Sequence, residues 1–178
     1  GADISLQSGG GVRVPLNGQV TAANVIEVLP FGNMLFRLNV TGAEAKSMVE
    51  DGLHAVYGAG GSTGPYPYTG GLRYDVDASK PQGSRASNFE VYNATTKTWG
   101  AIDPAKTYKL FVLSFNATGG DGYKTLAAVP AARRLDIGVL DADVFFSYID
   151  KQPKDTATGL PVLERLPVEL YSTRSFAN

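Results

Sequence analysis

Three short glycine-bearing stretches hold the residues of this chain whose chemistry suits the binding of a small polar ligand. The first is Ser8-Gly9-Gly10-Gly11-Val12-Arg13. Its glycines let backbone N–H groups approach a ligand closely, and the Arg13 guanidinium can fork onto phosphate or ribose oxygens. The second is Pro30-Phe31-Gly32-Asn33. A phenylalanine between proline and glycine sits in a turn, and a ring exposed that way can stack on a base. The third is Ser114-Phe115-Asn116-Ala117-Thr118-Gly119-Gly120-Asp121-Gly122-Tyr123. It carries a ring, an amide and a carboxylate on one loop, and an aspartate framed by glycines can accept both hydroxyls of a ribose. Each stretch has a plain structural reading beside this one. These are a tight turn with an exposed arginine, a phenylalanine folded back on the core, and an aspartate that closes its own turn.

The same search finds no self-sufficient catalytic set. His54 is the one histidine, and there is no cysteine. A metal site needs further ligands at matching spacing, and two-metal phosphoester hydrolysis needs a dense cluster of Asp, His and Asn. The string G-x-S-x-G occurs once, at Gly60–Gly64, but inside the glycine-rich 58–70 segment and not at a strand-to-helix elbow, and no Walker-type lysine follows a glycine loop. The expectation is a chain with no catalytic residue, no metal ligand and no cofactor of its own. Asn39, Asn93 and Asn116 open N-x-[ST] triplets, which are glycosylation acceptors only in a secreted eukaryotic protein and arise often by chance.

These stretches must be held by secondary structure, and the patterning suggests which. Residues 3–7 alternate like a strand. Thr21 caps a short helix that ends near Leu29, and residues 34–40 form a period-2 strand. Thr41-Gly42-Ala43-Glu44 is a capping box. Ala45, Met48, Val49, Leu53 and Val56 then share one face of a helix running to Tyr57. Residues 58–70 read as a long loop, and 71–76, 86–93 and 107–114 as strands. Asn93–Lys97 supplies a turn. Asp141–Asp150 reads as a helix stopped before Pro153, and Val162–Tyr171 as a last strand. Strands and helices mixed without regular βαβ alternation give an α+β fold with helices flanking mixed sheets.

The 178 residues are enough for one domain, so residues 1–178 are expected to form a single domain. A net charge of −1 supplies no field to hold a nucleic-acid backbone or an anionic membrane. No apolar run approaches the length of a membrane span. Gly1–Gln7 is too short and not basic enough for a signal peptide, and the chain opens directly into a strand, so it reads as a fragment or a mature product.

Taken in order, S-G-G-G-V-R, L-P-F-G-N, the helix-opening T-G-A-E and S-F-N-A-T-G-G-D-G-Y are similar to the C-terminal domain of the 5′-nucleotidase family. That family includes periplasmic UDP-sugar hydrolases and cell-surface ecto-5′-nucleotidases. The segments G-L-R-Y-D-V, K-P-Q-G-S-R and D-P-A-K-T-Y-K strengthen the resemblance, which runs from Asp3 to Tyr148. It implies a layered substrate-binding domain that partners an N-terminal metallophosphoesterase domain, with the divalent metal pair and the catalytic His–Asp pair in that other domain. None of the metal-domain motifs occurs in these residues. Carried over by motif, Phe31 and Phe115 would sandwich the base and Asp121 would hold the ribose hydroxyls. Arg13 would reach the ribose–phosphate region, and Gly10 and Gly11 would line the pocket. The family is thought to swing this domain to deliver substrate to the metals.

Two departures stand out. Ser8 occupies the place of an asparagine that touches the base, and a helix with a second arginine has no counterpart before Gly1. The resemblance implies a nucleotide or nucleoside as ligand, a periplasmic or extracellular location, no nucleic-acid partner and no membrane insertion by this chain. AMP, UDP-sugars and cyclic nucleotides all remain open as substrates. A stand-alone nucleoside-binding module and a non-catalytic structural or adhesion domain are the alternatives.

Overall fold

The structure, a computed structural model, describes residues 1–178. Strand β1 (Ile4–Ser8) buries Ile4, Leu6 and Ser8 and leads into a 3-10 turn at Gly9–Gly11. Helix α1 (Ala22–Val28) starts at Thr21, whose N–H donates to Asn24 Oδ1 at 2.9 Å while its Oγ1 accepts from Asn24 N–H at 3.4 Å. Strand β2 (Met34–Thr41) runs straight into α2 (Gly42–Tyr57). The capping box forms at that junction. Thr41 Oγ1 accepts from Glu44 N–H at 3.2 Å, and Glu44 Oε2 accepts from Thr41 N–H at 2.7 Å. A cap of this kind contributes about 1 kcal/mol. The buried face of α2 is Ala45, Met48, Val49 and Leu53, with Val56 half-buried at its end.

The remaining elements are β3 (Pro67–Gly70), β4 (Leu72–Asp77), β5 (Ala86–Asn93), β6 (Thr98–Ala101), β7 (Thr107–Leu113), α3 (Ser114–Ala117), α4 (Lys124–Ala127), β8 (Arg134–Leu140), α5 (Asp141–Asp150) and β9 (Thr173–Ala177). Five strands form one mixed sheet in the order β3-β1-β7-β2-β8, and four form a second in the order β6-β5-β4-β9. In the first sheet β1 and β7 are parallel, with Leu6 opposite Val112. Their C-terminal ends therefore open side by side. The fold is α+β. Its core is one cluster of buried side chains drawn from both sheets and from α2, including Leu38, Val40, Leu110, Met48, Leu53, Leu72 and Tyr74.

Two sequence expectations are corrected, and two strands, β6 and β8, stand outside the expected ones. The loop after α2 ends earlier than expected, because Pro67–Gly70 pairs with β1 as an edge strand, with Pro67 and Thr69 turned inward. Proline is tolerated there because its place is the first residue of an edge strand. The turn after Asn93 returns as β6, a four-residue strand with one large side chain, Trp99, to announce it. β8 does carry a strand signal, Leu135, Ile137 and Val139 alternating with Asp136 and Gly138, which the expectations above pass over. Val162–Tyr171 is not a strand. No residue from Lys151 to Tyr171 is buried, and Pro161 and Pro167 cannot donate to a ladder. The final strand lies further on as β9, parallel to β4 with Val76 opposite Phe176.

Candidate functional site

The open ends of β1 and β7, the turn before β2 and the loop after β7 surround a cleft of about 500 Å³. Its lining includes Ser8, Gly10, Gly11, Arg13, Phe31, Phe115 and Asp121. All seven residues singled out in the sequence therefore meet in one place, although Ser8 and Asp121 stand far apart in the chain.

The two rings are exposed rather than folded inward. Phe31 is 59% exposed and Phe115 51%, against a core whose aliphatic side chains lie near zero. Leaving such rings in water forgoes the burial that drives most phenylalanines inside. Phe31 owes its position to Gly32, whose φ of 60° turns the chain sharply after it. The Phe115 ring lies against the backbone of Gly120, where a Cβ would stand 2.6 Å from its ring carbons. Only glycine at 120 lets the ring lie there.

Asp121 adopts the left-handed conformation, φ 58°, between Gly120 and Gly122. The turn is closed by backbone, Gly122 N–H donating to Gly119 C=O at 3.2 Å, and not by the Asp121 carboxylate. That carboxylate is left available to a ligand. Beneath it, Tyr123 is fully buried and donates its hydroxyl to Pro65 C=O at 2.7 Å. Burial, with the negative charges of Asp121 and Asp51 nearby, pushes this hydroxyl far above the ordinary tyrosine value, so it remains a donor. Gly52 on α2 makes room for it, since a Cβ there would meet the hydroxyl at 2.7 Å. Asp51 accepts the Thr125 N–H at 2.7 Å and fixes the start of α4. Arg134 closes the far side by donating to the carbonyls of Ala117 at 2.6 Å and Leu126 at 2.9 Å.

The glycine turn is tied as firmly. Gly9 N–H donates to Tyr66 C=O at 3.1 Å and Gly10 N–H to Gly64 C=O at 2.8 Å. These two amides are thus already engaged, and the close approach that Gly10 permits is to Gly64, whose Cα would lie 3.2 Å from a Cβ. Arg13 bonds Gly10 C=O at 3.0 Å and holds its guanidinium carbon 5.7 Å from the Phe31 ring centre. It links the glycine turn to the aromatic wall.

The cleft also takes in Asn33, Gly64, Leu113 and Asn116, which the sequence motifs do not single out as site residues. Asn33 and Asn116 lie inside motifs already quoted, and an amide within two residues of a turn phenylalanine is the available signal. Gly64 lies in a run of small residues with no periodicity, and nothing in the sequence marks it. Of the N-x-[ST] asparagines, Asn93 is exposed and closes its turn by accepting from Thr95 and Thr96 N–H, whereas Asn116 is only 1% exposed. His54 is exposed on α2. No group of three or more His, Cys, Asp or Glu side chains is placed to hold a metal ion, and no helix is long and apolar enough to cross a membrane.

Comparison with known proteins fits this geometry. A family model described as 5′-nucleotidase, C-terminal domain matches residues 1–128. The chain is 35% identical over 156 residues to the NAD 5′-nucleotidase of Haemophilus influenzae, covering 85% of this chain and 26% of that protein. It is 35% identical over 163 residues to Protein UshA of Escherichia coli, covering 90% and 26%. Among solved structures, a 5′-nucleotidase precursor from Thermus thermophilus superposes with a TM-score of 0.79 at 32% identity, over 99% of this chain and 32% of that one. The chain thus spans about a quarter of the length of the curated relatives it matches. With the match covering most of its residues, the chain belongs to the 5′-nucleotidase C-terminal domain family.

Proposed function

We propose that residues 1–178 act as one substrate-holding domain of a 5′-nucleotidase-type phosphoric ester hydrolase. The cleft takes the base between Phe31 and Phe115, and Asp121 accepts the ribose hydroxyls. Arg13 stands toward the phosphate-bearing side, while Ser8, Gly10 and Gly11 form the wall between them. Hydrolysis of the 5′-phosphate falls to a divalent metal pair in a metallophosphoesterase domain outside these residues. The observation that carries this reading is the pair of half-exposed phenylalanines lining one cleft with an unbonded carboxylate.

The physics of this division is simple. Stacking contributes about 1–3 kcal/mol per aromatic contact, and much of that is offset by the entropy of association. The domain by itself is expected to hold nucleosides weakly, with a Kd of about 1 mM, which corresponds to about 4 kcal/mol. In a whole enzyme the same energy positions the phosphate over the metals. The names of the relatives, NAD 5′-nucleotidase and 5′-nucleotidase precursor, support a nucleotide as substrate. The name of a further relative, the snake venom 5′-nucleotidase of Macrovipera lebetinus, supports a place of work outside the cytoplasm, periplasmic or extracellular.

The test is an amide-shift titration of the isotope-labelled chain with adenosine, AMP and uridine. Saturable shifts around Phe31, Phe115 and Asp121 are expected, with roughly 5- to 100-fold weaker binding in Phe31→Ala and in Phe115→Ala. Silence of the wild-type chain to about ten times the expected Kd, near 10 mM, would overturn the proposal.

A further inference from the structure

Stacking cannot tell one base from another, because every base offers a π face. Discrimination has to come from polar groups that meet the edge of the ring. Most polar groups in the cleft are already committed. The Arg13 guanidinium bonds Gly10 C=O, and the Gly10 N–H bonds Gly64 C=O. The Asn33 amide has Ser114 Oγ at 3.4 Å on one side and Asp141 Oδ2 at 3.5 Å on the other. Asn116 is different. It lines the cleft, it is 1% exposed, and neither its amide nitrogen nor its amide oxygen has a partner. Folded proteins rarely leave a buried side-chain amide unpaired at both ends, and an exception calls for a missing partner. Shelter from bulk water is also the condition under which an unpaired polar group discriminates most sharply.

We propose that Asn116 is the specificity-determining residue of the cleft, its carboxamide pairing with a ligand ring edge that presents a hydrogen-bond donor beside an acceptor. This rests on the reading of the cleft as a nucleoside site. On α3 Asn116 directly follows Phe115, and both residues line the cleft, the ring half-exposed and the amide turned inward. Asp121, on the following loop, is left for hydroxyls. Ser8 lies at the end of β1 and is nearly as buried as Asn116, so the floor of the cleft is polar at both β1 and α3. A ring that lacks one of the two edge groups leaves half of the amide unpaired.

The experiment compares adenosine with purine riboside, which lacks the 6-amino donor, in wild-type chain and in Asn116→Leu, a variant of similar volume with no polar atoms. Wild type is expected to prefer adenosine by roughly 2- to 10-fold, the worth of one hydrogen bond. Asn116→Leu is expected to bring that ratio close to one by weakening adenosine alone. Its melting temperature should hold or rise, because an unpaired amide is removed from the interior. A lower melting temperature with an unchanged ratio would overturn the assignment, since the amide would then have a partner inside the fold. Should neither nucleoside bind wild type at all, the nucleoside reading fails and this assignment with it. Asn116→Asp keeps an acceptor and loses the donors, and it should retain binding of the ligand whose edge donates.

Discussion

Around the cleft, hydrogen bonds join residues far apart in the chain, while from Lys151 to Tyr171 they join near neighbours except for Arg73 Nη1, which donates to Glu169 C=O at 3.2 Å. Gly10 reaches Gly64, Tyr123 reaches Pro65 and Asp51 reaches Thr125. Between Lys151 and Tyr171 the bonds are of another kind. Asp155 Oδ1 accepts from Ala157 and Thr158 N–H, and Leu170 N–H donates to Pro167 C=O. Large apolar side chains in this segment lie open, Leu160 at 55% and Val168 at 73%. Long-range bonds break only when the fold opens, whereas local ones can break one turn at a time. The cleft is therefore built as part of the cooperative core, and the tail segment is not.

The largest expected effect tests that contrast directly. Leu110→Ala empties a fully buried position on β7 and should lower stability by about 2–5 kcal/mol. Val168→Ala removes two methyl groups from an exposed turn and should change it by no more than about 0.5 kcal/mol. Urea unfolding of both variants reads the difference. Comparable losses would mean that the tail packs as tightly as the sheet, and the contrast would fall.

The same contrast explains what could be read without a structure. The capping box at Thr41 and Glu44, the α2 face and strands β2, β5 and β7 are legible because local chemistry and burial agree there. The seven cleft residues are legible as motifs, since each turn carries its own glycines. What stays hidden depends on partners distant in sequence. β3 is a strand only because β1 lies beside it, and β9 only because β4 does. Val162–Tyr171 misleads because an apolar run bounded by turn residues looks like a strand whether or not a sheet edge is there to receive it. Asn116 can be seen as a residue, but its lack of partners cannot, because that is a property of everything packed around it.

A mid-sized effect is expected at Arg134, which binds the end of α3 to the end of α4 and so brackets the Asp121 loop. Arg134→Met keeps the aliphatic stem and removes the charged bonds. A loss of about 1.5–3 kcal/mol is expected, with faster amide exchange from Ala117 to Val129 and weaker nucleoside binding. Arg165→Met, on the exposed tail, should leave all three readouts unchanged. If Arg134→Met loosens only its own neighbours and spares binding, the Asp121 loop is held by Tyr123 and Asp51 alone.

The smallest effect lies where the two regions meet. Arg174 on β9 bonds Asp75 Oδ2 at 2.9 Å and Glu90 Oε2 at 2.7 Å, which fastens the end of the tail to the second sheet. Burial raises the Asp75 carboxyl, but hydrogen bonds from Asn88, Arg174 and Ser175 outweigh it and hold the group below the usual aspartate value. The Arg133 hydrogen bond does the same to Glu44 at the start of α2. A carboxyl depressed in the folded state adds stability that is fully present above its unfolded value and is lost as pH falls through the folded one. Stability should therefore be flat from neutral pH down to about pH 5 and decline below the usual carboxylate range. Asp75→Asn should cost no more than about 1 kcal/mol at neutral pH, because the pair is partly solvated, and it should flatten part of the acid decline. In wild type, amide exchange in β9 is expected to rise before exchange in β7 as the solution is acidified. If the two strands lose protection together, β9 belongs to the cooperative core and the loosely held segment ends at Tyr171.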